Sequence, residues 1–185
     1  MIRKLSKKEL EVLYKNEMVL DFPENELKPL SILEREEYNW LGYFEENVLK
    51  GYAILILYES KKCILLDYFA ILSTYRKNGL GTQFLRELKE EYREWDAIFI
   101  ESEAEKSETA RKRIEFYKHS SAVVTSFIVT LYFVEYHILM IPLAVALDQK
   151  EIIDRVRAIY EKIYTPKQLE EYINIKKVIE ENAID

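Results

Sequence analysis

The sequence predicts a mixed α/β (α+β) fold in which helices pack on both faces of a central sheet. Three strand-like runs follow one another between residues 40 and 72. Helical patterns flank a short apolar strand between residues 79 and 118, and further apolar runs lie between residues 121 and 147. Alternating elements of this kind are typical of a sheet covered by helices. The predicted order is strand, two helices, three strands, helix, strand, helix, two strands and a helical tail.

Length and composition indicate a folded domain. The chain has 185 residues, of which 49% are hydrophobic and 32% charged, and its formal net charge is −6. Phosphate backbones require a basic face, so we expect no nucleic-acid partner. The single cysteine, Cys63, has no disulfide or metal partner and lies in an apolar run, which indicates a core residue in a cytoplasmic protein. No uninterrupted apolar segment follows the basic N-terminus, so neither a signal peptide nor an anchor is expected.

The first 72 residues are predicted to form a strand, two helices and an antiparallel meander. After a strand at residues 2–5, Ser6 and Glu9 form a capping-box pattern that opens a helix to about residue 20. Pro29 is tolerated in a first helical turn but not in a helix interior. The second helix is therefore predicted from about residue 28 to residue 38. Strands follow at residues 40–45, 50–58 and 62–72, separated by short polar turns.

The remaining residues predict further helices and strands. Apolar residues recur at helical spacing from Leu80 to Tyr92, and residues 96–101 and 107–118 are typical of a strand and a helix. Charges interrupt the apolar run at residues 121–147 before the ~20 residues that a membrane helix needs, so we predict two buried strands and no membrane partner. Helical patterns at residues 148–164 and 166–182 complete the chain. We expect residues 1–147 to form the main domain and residues 148–185 a C-terminal helical extension packed on it.

The segment RKNGLG at residues 76–81 contains two of the four glycines and joins a predicted strand to a predicted helix. This arrangement places backbone amides at the positive end of a helix, where phosphate can bind. Gly79 and Gly81 allow a sharp turn and close approach to an anion, and Arg76 and Lys77 add positive charge. The alternative interpretation is a tight strand-to-helix turn with exposed basic residues and no ligand.

Two motifs resemble those of the GNAT-type N-acetyltransferase superfamily: an R/Q-x-x-G-x-G/A loop after a strand, and a helix that ends in R-x-x-F-Y. The matching residues are Arg76, Gly79 and Gly81 in the loop and Arg113, Phe116 and Tyr117 at the helix end. The stretches LLDYFAILSTYRKNGLG and VEYHIL are also similar to a bacterial subgroup of small acetyltransferases. The resemblance covers roughly residues 40–142.

The sequence departs from the family pattern at two places. Ser121 and Ala122 stand where the family usually has Gly-Phe, and Ser73 and Thr74 replace the proline common before the arginine. The resemblance nevertheless implies a GNAT-like, mostly antiparallel twisted sheet for residues 1–147, flanked by helices.

The resemblance implies an enzyme, an acetyl-CoA-dependent N-acetyltransferase that transfers the acetyl group directly to an amine acceptor. The pantetheine arm would lie along the strand end at Phe69 to Leu72. A backbone amide of Ile71 or Leu72 would donate to the oxyanion, and no metal is expected. The residues expected to contact the cofactor are Phe69, Ile71, Leu72, Arg76, Lys77, Asn78, Gly79, Leu80, Gly81, Thr82 and Tyr117.

Direct transfer needs a base for the amine and an acid for the departing thiolate. Asp67 is the first base candidate, because it is the only acidic residue in the strand CILLDYFAIL, whose apolar neighbours tend to make a carboxylate more basic. A solvent-facing position or a structural ion pair is the alternative for Asp67. Glu101, at the end of the next strand, is the second candidate, and a base acting through water is the third. Tyr117 occupies the position from which family members supply the acid.

Two alternatives belong to other functional classes. A non-catalytic acyl-CoA-binding or interaction module would keep the fold without transferring a group. A structural module would use the late strands and the helical tail as a subunit interface, for example in a homodimer. The acid-rich stretch from Glu24 to Glu37 suggests a cationic acceptor, although a solvated helix face explains it more simply. The acceptor therefore stays open between a polyamine, an aminoglycoside-like compound, an amino acid and a protein amine.

Overall fold

The fold was determined as a computed structural model that describes residues 1–103 and 107–177. The chain divides into two units. The first unit contains residues 1–57 and 66–92, and the second contains residues 58–65 and the chain from residue 93 onward. Strand β4 (Cys63–Ile71) belongs to the second unit up to Leu65 and to the first unit from Leu66.

The first unit contains strands and short helices in an order close to the predicted one. Its other strands are β1 (Ile2–Lys4), β2 (Tyr38–Glu45) and β3 (Val48–Tyr58), and its helices are α1 (Lys7–Leu13), α2 (Val19–Asp21), α3 (Leu30–Leu33) and α4 (Leu80–Glu91). The strand order is β1-β2-β3-β4, and both the β1–β2 and β2–β3 pairs are antiparallel. The predicted antiparallel strands at residues 40–45 and 50–58 are therefore confirmed.

The predicted start of the first helix is confirmed in atomic detail. The Glu9 N–H donates to Ser6 Oγ at 3.3 Å, and the Ser6 N–H donates to Glu9 Oε2 at 2.8 Å, which completes the capping box. A π-helix at Tyr14–Met18 separates α1 from α2, a feature that the apolar pattern did not predict. The helical segment therefore runs to Asp21 with one wider turn inside it.

The prediction of the second helix is wrong beyond the first turn of that helix. Helix α3 ends at Leu33, whereas the prediction extended to residue 38. The indole N–H of Trp40 donates to the Leu33 carbonyl at 2.6 Å, which satisfies the carbonyl at the end of this helix. The chain then enters β2 at Tyr38, two residues earlier than predicted.

Gly51 allows β3 and β4 to approach closely. A Cβ atom at position 51 would lie 2.7 Å from both the Ala70 carbonyl oxygen and Ile71 Cδ1, distances that a real Cβ does not adopt. A side chain at this position would therefore displace the end of β4, which leads into the RKNGLG loop.

The second unit contains the later strands and the later helices. Its elements are β5 (Ala97–Glu103), α5 (Glu108–His119), β6 (Val123–Leu131), β7 (Val134–Pro142), α6 (Gln149–Ile163), α7 (Pro166–Tyr172) and β8 (Ile173–Lys177). The strand order is β4-β5-β7-β6-β8, and the β5–β7, β6–β7 and β6–β8 pairs are antiparallel. The two strands predicted within residues 121–147 are confirmed as β6 and β7. Tyr132 and Phe133, which join them, both have positive φ angles, 45° and 72°.

The C-terminal prediction is only partly correct. Helix α6 begins after Asp148, as predicted, but the helix that starts at Pro166 ends at Tyr172. The chain continues as β8, which pairs with β6. Ile173 and Ile175 recur with the period of two that suits a strand. The predicted continuation of the helix over residues 178–182 lies outside the described residues.

Buried apolar residues form the interior of both units. Cys63 is fully buried, as its apolar surroundings predicted, and burial raises the pKa of its thiol to about 12. None of the helices in the described parts of the chain combines the length and apolar composition that a bilayer crossing requires.

Candidate active site

In the first unit, the RKNGLG loop connects the end of β4 to α4. A 3₁₀ turn at Ser73–Tyr75 follows β4, and Arg76 is extended. Lys77 and Gly79 then take the left-handed conformation, with φ angles of 68° and 76°. Glycine adopts this conformation without strain, whereas a lysine does so only at a cost. The predicted role of Gly79 in a sharp turn is therefore matched by its backbone geometry.

Gly79 is also the N-cap residue of α4 and has no side chain with which to cap the helix. The first turn closes with a bond of 3.2 Å from the Gln83 N–H to the Gly79 carbonyl. The N–H groups of the residues before Gln83 therefore have no intrahelical acceptor. A Cβ at position 79 would meet no described atom within 4 Å, so space is open beside these donors. This arrangement suits an anion at the positive end of the helix.

The side chain of Arg76 is held by other groups of the first unit. Its Nε donates to the Ile71 carbonyl at 2.8 Å, and its Nη2 donates to Asp21 Oδ1. The second carboxylate oxygen of Asp21 accepts a hydrogen bond of 2.9 Å from the Tyr52 hydroxyl. The Asp21 side chain is 8% exposed, whereas that of Arg76 is 46% exposed. The arginine of the motif is thus anchored from inside its own unit.

The end of β4 contains the residues predicted to run along the pantetheine arm. The Phe69 ring packs against the buried Phe84 of α4, with ring centroids 5.0 Å apart. The Leu72 N–H donates to the Lys50 carbonyl at 2.9 Å. An oxyanion role for the Leu72 amide would require that bond to break.

Asp67, the first predicted base, forms an ion pair with Lys28. Both carboxylate oxygens accept hydrogen bonds from Lys28 Nζ, at 2.6 and 2.8 Å. The Asp67 side chain is 3% exposed and that of Lys28 is 22% exposed. The structural ion pair that the sequence left open for Asp67 is therefore present.

The segment around Lys28 is fixed by two tyrosines. The Lys28 N–H donates to the Tyr68 hydroxyl at 2.9 Å, and that hydroxyl donates to the Glu26 carbonyl at 2.8 Å. The Tyr14 hydroxyl donates to the Lys28 carbonyl at 3.2 Å. Lys28 is therefore held by its main chain as well as by its ammonium group.

In the second unit, Tyr117 lies near the C-terminal end of α5 and is 6% exposed. Burial raises the pKa of its hydroxyl to about 12, while the nearby positive charge of Arg113 acts in the opposite direction. The phenol is therefore protonated at neutral pH, as a proton donor must be. The edge of its ring contacts Phe116, with centroids 5.1 Å apart.

The turn after α5 is the place where the sequence departs from the R-x-x-F-Y pattern followed by Gly-Phe. Ser121 has a φ angle of 77°, a left-handed conformation that glycine adopts more easily. The Ala122 N–H donates to the Tyr117 carbonyl at 2.9 Å, and the Ser121 N–H donates to the Lys118 carbonyl at 3.0 Å. The turn closes despite the serine, so the substitution strains the backbone without opening the helix end.

Glu101, the second predicted base, lies in β5 opposite Ile138 of β7. Its Oε1 accepts a hydrogen bond from the hydroxyl of Tyr160, a buried residue of α6. The C-terminal extension of the sequence therefore contacts the strand that carries this carboxylate.

Comparison with known proteins identifies the family. A family model described as the acetyltransferase (GNAT) family matches residues 2–120. The chain belongs to the GNAT acetyltransferase family. Members of this family transfer acetyl groups and generally take them from acetyl-CoA. A comparison with curated proteins found no match.

Solved GNAT structures share this fold at low sequence identity. The ribosomal-protein-S18-alanine N-acetyltransferase from Escherichia coli is 17% identical, with a TM-score of 0.62 over 80% of this chain and 97% of that one. A GNAT-family structure from Bacteroides thetaiotaomicron is 17% identical, with a TM-score of 0.69 over 88% and 97%. A spermidine N-acetyltransferase SpeG chimera from Vibrio cholerae and hSSAT is 11% identical, with a TM-score of 0.60 over 77% and 94%. At these identities the similarity shows the fold alone.

Sequence reasoning about this GNAT protein missed two sets of partners. It assigned the RKNGLG loop and Asp67 but found neither Asp21 as the partner of Arg76 nor Lys28 as the partner of Asp67. The partners are 55 and 39 residues apart in the chain. A local pattern contains no signal for such contacts, because many other acidic and basic residues occupy similar positions. Within the described residues, no group of three or more His, Cys, Asp or Glu side chains is arranged to hold a metal ion.

Proposed function

We propose that this protein is an acetyl-CoA-dependent N-acetyltransferase that transfers the acetyl group directly to an amine in a ternary complex. The observation that carries the proposal is the start of α4. Gly79 takes the left-handed conformation, caps the helix without a side chain and has open space beside it. A pyrophosphate group fits such a donor set, because backbone N–H groups and the helix dipole both favour negative charge.

In this proposal residues 76–82 bind the pyrophosphate mainly through backbone amides. The motif residues are Arg76, Lys77, Asn78, Gly79, Leu80, Gly81 and Thr82. The pantetheine arm lies along Phe69, Ile71 and Leu72. An amide at the end of β4, that of Ile71 or Leu72, stabilises the oxyanion that forms when the amine attacks the thioester.

The amine must lose a proton for the transfer, and Asp67, Glu101 or a water molecule is proposed as the base. Both carboxylates already accept hydrogen bonds from protein groups, Asp67 from Lys28 and Glu101 from Tyr160. Direct proton transfer to either therefore requires the amine to replace a protein donor, or water to relay the proton. This engagement favours the water route over a dedicated carboxylate.

We assign the proton donor for the departing thiolate to Tyr117. Its pKa of about 12 keeps the hydroxyl protonated at neutral pH, so a proton is present when the thiolate forms. The assignment predicts that Tyr117→Phe lowers kcat about a hundredfold, the lower part of the range for a general acid, and changes the Kd for CoA little.

Tyr92→Phe is the matched control, since burial also raises the pKa of Tyr92 to about 12 but this residue lies outside the motif. The assay follows thiol release from acetyl-CoA over a pooled amine library, beside a thermal-shift titration with CoA. Unchanged turnover in Tyr117→Phe would remove the acid role. The absence of any CoA-dependent shift in the wild-type protein would remove the proposed function itself.

A second candidate is a non-catalytic acyl-CoA-binding module with the same fold. Two observations favour it: the strained Ser121 in the turn after the R-x-x-F-Y motif, and the engagement of both candidate bases by other side chains. CoA binding without thiol release, across primary, secondary and peptide amines, would support this module.

The acceptor is proposed to be an amine-bearing small molecule or peptide. The solved neighbours named above include an alanine N-acetyltransferase and a spermidine enzyme, both of which act on amines. We further propose that residues 1–147 form the acetyltransferase domain and that residues 148–185 form an extension, with a homodimer through the extension as one arrangement to test. The buried lone cysteine suits a reducing cytoplasm.

A further inference from the structure

We propose that Asp21 is a positioning residue for the cofactor loop. It holds Arg76 as a brace between the loop and helix α2, so that Arg76 shapes the pyrophosphate site without being its main ligand. This inference rests on the proposed function and deepens it, because it assigns the charged residue of the motif a role distinct from direct phosphate contact.

The hydrogen bonds of Asp21 use both of its carboxylate oxygens. Oδ1 accepts from Arg76 Nη2, and Oδ2 accepts from the Tyr52 hydroxyl at 2.9 Å. Tyr52 is fully buried in β3, so it fixes the carboxylate from the interior of the first unit. A carboxylate held on both oxygens has a fixed orientation, and this orientation is passed to the guanidinium that it binds.

Arg76 is fixed on a second edge by the Ile71 carbonyl, which accepts from its Nε at 2.8 Å. The guanidinium therefore links α2, the last residue of β4 and the start of the loop. Ile71 is one of the two predicted oxyanion donors, beside Leu72, and Arg76 is the first residue of the phosphate loop. One side chain thus sets the spacing between the two parts of the cofactor site in this unit.

Electrostatics supports a brace over a ligand. The Asp21 side chain is 8% exposed, and its carboxylate directly contacts Arg76. Its negative charge therefore offsets the positive charge that Arg76 would present to a pyrophosphate. The binding of negative charge then depends on the amides at the start of α4 and on Lys77. A mutation of Asp21 disturbs the loop geometry and also frees the positive charge of Arg76. The direction in which the CoA affinity changes therefore separates the two roles: weaker binding indicates a brace, and unchanged or tighter binding does not.

The π-helix at Tyr14–Met18 determines where Asp21 lies. One extra residue in a helical turn rotates every later residue by about 100° around the helix axis compared with an uninterrupted α-helix. Asp21 is the last residue of α2, directly after this segment. The wide turn therefore sets the face of the helix from which Asp21 reaches Tyr52 and Arg76.

The test measures binding of CoA, and of pantetheine, which lacks the pyrophosphate, to Asp21→Asn, Arg76→Ala and the double variant. Asp21→Asn is expected to raise the Kd for CoA about tenfold, equivalent to ~1.4 kcal/mol, and to leave the Kd for pantetheine within about twofold. Arg76→Ala in the Asp21→Asn background is expected to add less than about twofold, because both changes remove the same brace.

Asp96→Asn is the matched control, since Asp96 also pairs with an arginine, Arg155, at 2.8 Å but lies outside the loop. It should leave the Kd for CoA unchanged. Tyr52→Phe is a milder second variant that keeps the Asp21–Arg76 pair. It should raise the Kd for CoA about threefold, and it decides the matter if Asp21→Asn fails to fold.

The outcomes separate the two proposals. Wild-type affinity for CoA in Asp21→Asn, or tighter binding, would overturn the positioning role and leave the proposed function intact. Additive losses in the double variant would make Arg76 an independent phosphate ligand and would also overturn it. Failure of the wild-type protein to bind CoA would instead refute the proposed function, and the inference with it. An equal loss for CoA and pantetheine would show a general structural effect and would count against the brace.

Discussion

Replacement of Lys28 by methionine tests whether the Lys28–Asp67 ion pair stabilises the first unit. Methionine keeps most of the side-chain volume but removes the ammonium group that donates to both oxygens of Asp67, at 2.6 and 2.8 Å. Asp67 is 3% exposed, so its carboxylate would remain buried without its cation. The perturbation therefore tests mainly the cost of an unpaired buried charge, and it also removes the ammonium group that lies 5.4 Å from the centre of the Tyr68 ring.

The expected loss of stability follows from this burial. Removal of one partner of a buried pair costs about 3–5 kcal/mol, and the partial exposure of Lys28 favours the lower end, about 3 kcal/mol. Asp67→Asn should cost less, about 1–2 kcal/mol, because the 22% exposed Lys28 ammonium can turn toward water. The double variant should lose less than the sum of the two single variants, since neither charge is then left alone.

Thermal and urea unfolding measure these differences. For a chain of this length, a loss of about 3 kcal/mol corresponds to a Tm lower by about 6–12 °C. Lys112→Met is the control, because its ion pair with Glu108 is highly exposed, at 75% and 72% of the side chains, and should change Tm little. A loss below about 1 kcal/mol in Lys28→Met, similar to that of a surface pair, would refute the reasoning.

Three further predictions concern the loop, the tyrosines and the cysteine. Gly79→Ala should destabilise the protein by about 1–2 kcal/mol and weaken CoA binding, because alanine is strained at the φ angle of 76°; unfolding and CoA titrations measure both effects. Burial raises the pKa of Tyr38, Tyr92 and Tyr117 from 10 to about 12, so the folded state binds more protons than the unfolded state in this range. Their contribution to stability should be complete below pH 10 and lost as pH rises through about 12, in unfolding curves recorded beside tyrosinate absorbance; a rise in stability over that range would contradict the assignment. The Cys63 thiol, with a pKa of about 12, should not react with a disulfide reagent in the folded protein but should react once urea unfolds it, and rapid reaction of the native protein would show that the residue is accessible.

Local sequence patterns predicted the helices and strands that are determined by residues close together in the chain. Ser6 and Glu9 marked the start of α1 because a capping box forms between residues three apart. The apolar spacing marked α4 because Phe84, Leu85 and Leu88 form one buried face. Strand β8 was missed because its polar neighbours also suit a helix, and its pairing with β6 is a distant contact.

The candidate site likewise contains residues whose roles are local and residues whose roles depend on distant partners. Gly79 was predicted because its role depends on its own backbone conformation and on its position before a helix. The roles of Asp67 and Arg76 depend on Lys28 and Asp21, which are far away in the chain, so the sequence offered alternatives and could not select one. The π-helix that orients Asp21 is a one-residue irregularity, and an apolar pattern tolerates such an insertion without a visible signal.

The helix starts also differ in the order in which they can form during folding. Helices α1, α6 and α7 each begin with a complete capping box, whose two hydrogen bonds join residues three apart. Such starts can form in a nascent chain before any strand has paired. Helix α4 begins at a bare glycine, so its first turn gains its partners only from the folded surroundings or from a bound anion. Protection of the Leu80, Gly81 and Thr82 amides from hydrogen exchange should therefore appear last during refolding. This protection should increase when CoA is present.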